Sequence, residues 1–174
     1  MRGFDFRSRN IVLVCALLLA SSLSWSYPLA GLQPVGSATL KWSFWTIYES
    51  TLYDPDGVFS GINPGLALNI EYRRSISRRQ LIDATREQWK AMSLYQDDLS
   101  DAWLDALSGF WPDVRRGDAI TLLVTDGLVS EFYLNGEAIG RISEPGFTEN
   151  FLAIWLSDES RFPELRDRLI GNSS

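Results

Sequence analysis

Two hairpin signals between Asp118 and Leu156 constrain the fold more than any other feature of the sequence. Asp126-Gly127 and Asn135-Gly136 can each supply the positive φ angles of a tight turn between antiparallel strands. The segments that these turns separate carry apolar residues at strand spacing. The stretch therefore predicts a meander of three antiparallel strands, at about 120–125, 132–134 and 139–142.

A helix is predicted directly after this meander, because apolar residues recur there at helical spacing. Its stripe consists of Phe147, Phe151, Ile154 and Trp155. Pro145 suits the first turn of this helix, and Pro163 suits the first turn of a short last helix.

Strand and helix signals also occupy separate stretches earlier in the chain. Residues 38–54 alternate like one long bent strand, or like a hairpin without a strong turn signal, and residues 66–72 form the cleanest half-buried strand. Ser77 and Gln80 fit a capping box that opens a helix, and a second helix follows from about Leu99. This segregation predicts an α+β fold, with an antiparallel sheet and a layer of helices packed on one face.

The first 26 residues have the features of a secretory signal peptide. Three arginines form a basic start, and residues 11–20 are an apolar run that is too short for a membrane span. Small residues flank Trp25 where a signal peptidase reads, so cleavage after Ser26 is expected, with an uncleaved membrane anchor as the alternative. We therefore expect a periplasmic or secreted protein with a signal peptide at 1–26, a linker at 27–35, one domain at 36–171 and a tail at 172–174.

Charge and composition exclude several classes of function. Removal of residues 1–26 would change the net charge from −6 to −8, which disfavours binding to nucleic acid or to an anionic lipid surface. The sequence contains no His, and its single Cys lies within the predicted signal peptide. Zinc sites of the usual kind, His-based acid–base catalysis and thiol chemistry are therefore not expected. We expect neither a metal nor a cofactor.

Several short motifs follow one another in a specific order. They are Gly117-Asp118, Asn135-Gly136, Ile139-Gly140-x-Ile142, Phe147 and Ile154-Trp155-Leu156. This order resembles the C-terminal half of the chalcone isomerase-like family, and more narrowly its bacterial, exported branch. Residues 45–53 are also similar to an early strand of that family, Val-Tyr-x-x-x-Leu-Tyr. The resemblance runs from about Gly36 to Gly171. It implies an open-faced β-sandwich with a ligand cleft between the sheet and a helical layer.

The resemblance implies two kinds of activity. Plant chalcone isomerases close a hydroxy-chalcone to a flavanone with an Arg, a Thr, a Lys, a Tyr and an Asn, whereas other members bind fatty acids and place an Arg and a Tyr on the carboxylate. In this sequence Tyr48 falls at the position of the catalytic Thr, the first-strand Arg is replaced around 39–41, and no Tyr occurs near 77–80. The isomerase set is thus incomplete, and chalcone isomerase activity is not expected.

Four residues are predicted to bind a ligand in the cleft: Tyr48, Tyr72, Arg73 and Arg74. The tyrosines are polar groups beside apolar strands, and the arginines lie where the family keeps a basic residue. A guanidinium group suits an anionic apolar ligand, because it pairs with a carboxylate through two hydrogen bonds. The residues alone leave open which Arg faces the cleft. They also leave open core tyrosines and a solvated strand end as alternatives.

We therefore expect an exported, non-catalytic binder of a fatty acid or a similar apolar anion. One alternative is an isomerase, in this family an intramolecular lyase, that acts on an unknown small substrate. Another is a structural partner in an envelope assembly. Neither nucleic acid nor metal is expected as a partner, and membrane contact is expected only through an uncleaved N-terminal segment.

Overall fold

The computed structural model describes residues 28–172, so the predicted signal peptide and its cleavage site lie outside the described residues. Six strands form one antiparallel sheet in the order of the sequence. They are β1 (Gln33–Trp42), β2 (Trp45–Asp54), β3 (Ala67–Tyr72), β4 (Ala119–Thr125), β5 (Val129–Leu134) and β6 (Glu137–Ile142). The helices of this part of the chain are α1 (Arg78–Ala91), α2 (Asp97–Phe110), α3 (Phe147–Leu156) and α4 (Pro163–Leu169). The predicted α+β architecture is confirmed.

The hairpin turns follow the local chemistry of their residues. Asn135 and Gly136 have φ angles of 51° and 89°, which both favour a tight turn between β5 and β6. Asp126-Gly127 also ends a strand, but it lies in a short 3-10 turn that continues to Leu128. The stretch 38–54, which the sequence left open, is a hairpin.

Several strand and helix ends lie one to three residues from their predicted positions, and two differences change the kind of element. β1 begins at Gln33, within the segment predicted as a linker at 27–35. Pro34 is tolerated there because β1 is an edge strand, on which a missing backbone N–H costs little. α3 begins at Phe147 with Gly146 as its N-cap, so Pro145 precedes the helix rather than lying in its first turn. Among the described residues, no helix has both the length and the apolar character needed to cross a membrane.

The helices cover one face of the sheet, and the strand registers arrange that face in rows. One row joins Leu52, Leu68, Leu122 and Phe132, and a second joins Ser50, Ile70 and Ile120. All of these side chains are buried. The opposite face carries polar groups such as Glu49, Glu71 and Glu131, which are partly or fully exposed. One covered face and one open face explain why buried and half-buried residues largely alternate along β3 and β4.

Aromatic side chains fill most of the space between the sheet and the helices. Trp89 of α1 packs edge-on against Trp103 of α2, which in turn packs against Phe147 of α3. The indole N–H of Trp89 donates to the backbone oxygen of Asn150 and so joins α1 to α3. The capping box at the start of α1 is present as predicted, with Ser77 and Gln80 each bonded to the other's backbone.

Candidate functional site

A cavity of about 190 Å³ lies between the inner face of the sheet and helices α1 and α3. The buried rows of the sheet form its floor, and Leu81, Thr85, Phe151 and Trp155 form its helical wall. Its lining has no charged side chain among the described residues. The walls of such an apolar cavity offer water few hydrogen bonds. The cavity therefore favours an apolar ligand over water.

The exposed part of the lining marks the opening of the cavity. Leu40, Ile47 and Tyr48 of the β1–β2 hairpin are half-buried there, as is Phe162, which precedes α4. Ala84, on the facing side of α1, is exposed. The cavity therefore opens between α1, the hairpin and the start of α4.

Tyr48 links the opening of the cavity to its helical wall. Its hydroxyl oxygen accepts a hydrogen bond of 2.9 Å from the indole N–H of Trp155. Burial raises the pKa of Tyr48 to about 12, although the bond from Trp155 acts in the opposite direction. The hydroxyl is therefore neutral at physiological pH, and its own proton remains available to an oxygen of a ligand.

Tyr72 stands beside Tyr48 in the same row of the sheet. The two residues are register partners, and their rings meet edge-on with centroids 6.4 Å apart. Burial, and then the neighbouring Tyr48, raise the pKa of Tyr72 as well. Trp111 Nε1 and Gln88 Oε1, on two further lining residues, are buried and make no hydrogen bond within residues 28–172. The cavity thus combines apolar walls with a few polar atoms that a ligand could satisfy.

Arg73 does not line the cavity. It follows Tyr72 in the strand direction and extends over the open face, where its guanidinium contacts Glu49 at 2.6 Å and Glu71 at 2.5 Å. These two glutamates are register partners on β2 and β3, so Arg73 neutralises two like charges that face each other across the strands. Its hydrogen bond lowers the pKa of Glu49.

Arg74 also lies outside the cavity lining. Its guanidinium carbon is 5.1 Å from the centre of the Trp45 ring, which is a cation–π distance. The structure thus brings two of the four predicted residues, Tyr48 and Tyr72, together in the cavity. It places Arg73 and Arg74 on other surfaces.

A basic groove of about 580 Å³ lies next to the opening, between β1 and the start of α4. Lys41, Arg161 and Arg168 line it, and none of the three forms an ion pair with another residue of the described range. Glu164 is the acidic residue of the lining. Leu40 and Phe162 line both the groove and the cavity, so the two spaces are neighbours.

The basic groove is the part of the site that the sequence analysis missed. The sequence resemblance aligns residues 39–41 with the family's first-strand Arg, and this alignment was the one signal that could have pointed to Lys41. Arg161 and Arg168 carry no comparable signal, because they approach Lys41 only through the packing of α4 on β1. Trp155 was predicted as part of an apolar helical stripe, which does not reveal its N–H as a donor to Tyr48.

Comparison with known proteins places this fold in a family. The model of the chalcone isomerase-like family matches residues 32–171, which is most of the chain. The chain belongs to the chalcone isomerase-like family. The predicted family fold, an open antiparallel sheet covered by helices on one face, is thereby confirmed.

Two individual proteins are similar to this family member. An uncharacterized protein of Haemophilus influenzae is 23% identical over 146 residues, which cover 84% of this chain and 71% of that protein. The crystal structure of a fatty-acid binding protein of Arabidopsis thaliana superposes with a TM-score of 0.63. It is 12% identical, and the match covers 82% of this chain and 88% of the plant chain. At this identity the likeness shows a common fold.

Proposed function

We propose that this protein is a non-catalytic binder of a fatty acid or a similar amphiphilic acid. The apolar tail occupies the cavity, and the acidic head lies in the basic groove. The observation that carries the proposal is the direct adjacency of the two spaces, which share Leu40 and Phe162. The fatty-acid binding activity in the name of the plant structure supports the same class of ligand.

The volume of the cavity limits the tail. An engineered protein cavity of about 150 Å³ takes one benzene molecule, so a cavity of about 190 Å³ takes a chain of about six to eight carbons. Longer chains must extend through the opening or widen it. We therefore expect affinity to rise with chain length up to about eight carbons and then to level off.

The energy of tail burial alone is modest. Six buried methylenes contribute about 5 kcal/mol, whereas the cost of association is about 4 kcal/mol or more. An acidic head group that pairs with cationic side chains of the protein is therefore needed for useful affinity. Lys41, Arg161 and Arg168 supply positive charges next to the opening and have no ion-pair partner among residues 28–172. Tyr48 can donate its hydroxyl proton to a ligand oxygen at the opening.

Arg73 and Arg74 remain the predicted alternatives for the head. Arg73 already contacts two carboxylates, and its use by a ligand would leave Glu49 and Glu71 facing each other without a cation. Arg74 lies over Trp45 near the tip of the β1–β2 hairpin. The basic groove needs no such rearrangement, so we assign the head to it.

Calorimetric titration with saturated acids of increasing length, and with the matching alcohols, tests the proposal. We expect the acids to bind more tightly than the alcohols, with a plateau beyond about eight carbons. The charge-removing pair Lys41→Ala and Arg161→Ala should abolish the preference for acids, whereas Arg73→Ala and Arg74→Ala should retain it. The reverse result would move the head to those arginines. Affinity that is independent of chain length would refute the cavity as the site.

A change within the cavity provides a matched pair of variants. Leu122 lines the cavity floor, and Leu123, the next residue of β4, points to the other face of the sheet. Leu122→Phe should fill part of the cavity and weaken binding at least tenfold, because it removes space for about two methylenes. Leu123→Phe should leave binding unchanged. Equal binding by both variants would contradict the assignment of the tail to the cavity.

Export remains part of the proposal. The basic start, the short apolar run and the Ser-Trp-Ser sequence favour a mature N-terminus near Tyr27 in the periplasm or outside the cell. A carrier of an amphiphile between membrane surfaces fits that location. Sequencing of the N-terminus of the accumulated protein decides the point, because a start at residue 1 or 2 would exclude cleavage.

A further inference from the structure

The tip of the β1–β2 hairpin exposes three aromatic side chains in four successive residues. Trp42 is 77% exposed, Phe44 is 98% exposed and Trp45 is 61% exposed. Elsewhere in residues 28–172, the large exposed apolar side chains are Val58 and Leu99, which are single residues on a loop and a helix. Single exposed apolar residues are ordinary, whereas a cluster of three indicates a contact surface.

The backbone of the tip presents these side chains outward. Ser43 and Phe44 form the turn, and Ser43 has a φ of 54°, which is an uncommon angle for a residue with a side chain. Phe44 therefore lies at the apex, with one Trp on each side of the turn. The turn accepts local strain where a Gly or Asn would relieve it, as is often found at functional sites.

We propose that this tip, residues 42–45, docks the protein on the surface of a phospholipid bilayer. Trp and Phe are the side chains that suit the boundary between headgroups and acyl chains, because they combine large apolar area with, in Trp, a polar N–H. Three side chains are too few for a stable protein interface, which buries about 800 Å² on each partner. Their insertion into the boundary between headgroups and acyl chains needs no such area.

The charges around the tip favour the same partner. Lys41 precedes the tip, and Arg74 lies over the Trp45 ring at 5.1 Å. Both can contact lipid phosphates while the aromatic rings insert. The net charge, −6 for the whole sequence and −8 without residues 1–26, opposes attraction to a strongly anionic surface. Aromatic insertion should therefore carry the binding, so zwitterionic vesicles should suffice.

Docking in this orientation would bring the opening of the cavity to the membrane. Leu40 lies two residues before the tip and Ile47 two residues after it, and both line the cavity near its opening. The N-terminal end of β1 lies at the other end of a ten-residue strand, roughly 30 Å away. The proposed contact therefore lies at the opposite end of β1 from Gln33, and it does not depend on the identity of the ligand.

Flotation with vesicles tests the inference on the full protein with the N-terminus that it carries after export. Vesicles of phosphatidylcholine alone, and of equal parts phosphatidylcholine and phosphatidylglycerol, are compared. We expect the wild-type protein to float with both. Phe44→Ser should reduce partitioning about tenfold, and Trp42→Ser combined with it should abolish binding. Val58→Ser and Leu99→Ser are the matched controls and should leave partitioning unchanged.

A second measurement locates the tip directly. Brominated phosphatidylcholine should quench the tryptophan fluorescence of the wild-type protein more than that of the variant Trp42→Ser/Trp45→Ser. Flotation that is unaffected by the tip variants would place the membrane contact elsewhere and overturn the inference. A concentration-dependent dimer that Phe44→Ser disrupts, without flotation of the wild type, would assign the tip to a second copy instead. Failure of fatty-acid binding would leave this result untouched.

Discussion

Tyr48 shows how a single residue of the cavity balances burial against hydrogen bonding. Its hydroxyl receives a hydrogen bond from Trp155, yet burial dominates and raises its pKa to about 12. A neutral hydroxyl of this kind is a hydrogen-bond donor for a ligand and a poor base. Tyr72 has a raised pKa for the same main reason. The pair is therefore suited to holding a ligand rather than to removing a proton from it.

The raised pKa of Tyr48 predicts a pH dependence of stability. The unfolded tyrosine ionises near pH 10, and the folded one near pH 12. Between these values the unfolded state binds fewer protons than the folded state, so the free energy of unfolding falls as pH rises. This contribution is fully present below pH 10, and its loss by pH 12 amounts to about 2 kcal/mol.

Urea denaturation of the wild type and of Tyr48→Phe at a series of pH values measures this effect. The variant should be less stable at neutral pH by about 1–3 kcal/mol, because Trp155 Nε1 loses its acceptor. The difference between the two proteins should shrink above pH 10. A constant difference from pH 7 to pH 11 would show that Tyr48 ionises equally in both states.

The residue scale also shows which site residues the sequence could predict. Tyr72 follows from the alternation of β3, because every second residue of that strand points to the helices. The same alternation sends Arg73 to the open face, where Glu49 and Glu71 hold it. The sequence could not show that Lys41 and Arg168 line the same groove, since the two residues lie near opposite ends of the domain.

At the scale of elements, local signals predicted a hairpin wherever the turn residues favour positive φ angles. Asn135-Gly136 adopts the positive φ angles for which its side chains are suited. The β1–β2 hairpin escaped a firm prediction because its turn uses Ser43, a residue without that preference. Where the turn residues do not themselves favour positive φ angles, as at Ser43, tertiary contacts or function determine the turn.

The packing of α4 on β1 depends on the absence of a side chain at Gly36. A Cβ atom there would lie 2.0 Å from the backbone oxygen of Arg168 and 2.7 Å from that of Leu169. Backbone atoms cannot rotate away as side chains do, so α4 would have to move. We expect Gly36→Ala to destabilise the protein by about 1–3 kcal/mol and to weaken acid binding, because α4 carries Arg168 of the basic groove.

Gly109→Ala is the control for this change. Gly109 lies in α2, and a Cβ atom there would come within 4 Å of no packed neighbour from residues 28–172. Ala should stabilise the helix by up to about 1 kcal/mol and leave ligand binding unchanged. Thermal denaturation and the fatty-acid titration together distinguish the two variants. Equal melting temperatures for Gly36→Ala and the wild type would show that α4 is free to shift.

At the scale of the whole molecule, the proposed function depends on the space between the sheet and the helical layer. The sequence predicted both layers, because periods of two and of 3.6 residues mark them separately. The shape of the space between them depends on side chains from β1 to α4 that meet only in the folded protein. This is why the fold could be predicted, whereas the cavity volume and the adjacent basic groove could not.

The same space argues against cyclisation of a chalcone. A two-ring substrate needs more room than a cavity of about 190 Å³ provides, since about 150 Å³ holds a single benzene ring. The sequence resemblance aligns Tyr48 with the family's catalytic Thr, and the raised pKa of Tyr48 keeps its hydroxyl protonated. The cavity lining also contains no cation among the described residues that could stabilise a developing enolate.

We therefore expect no cyclisation of a hydroxy-chalcone above the spontaneous rate. Absorbance of the chalcone is followed with wild-type protein, with Tyr48→Phe and with buffer alone, and the three rates should agree. Enzymes commonly accelerate their reactions by about a million-fold or more, so genuine catalysis would be evident against the spontaneous background. An acceleration of several orders of magnitude that Tyr48→Phe abolishes would make Tyr48 a catalytic residue and the protein an isomerase. A small acceleration that a saturating fatty acid does not suppress would arise outside the cavity, and it would leave the binding function as proposed.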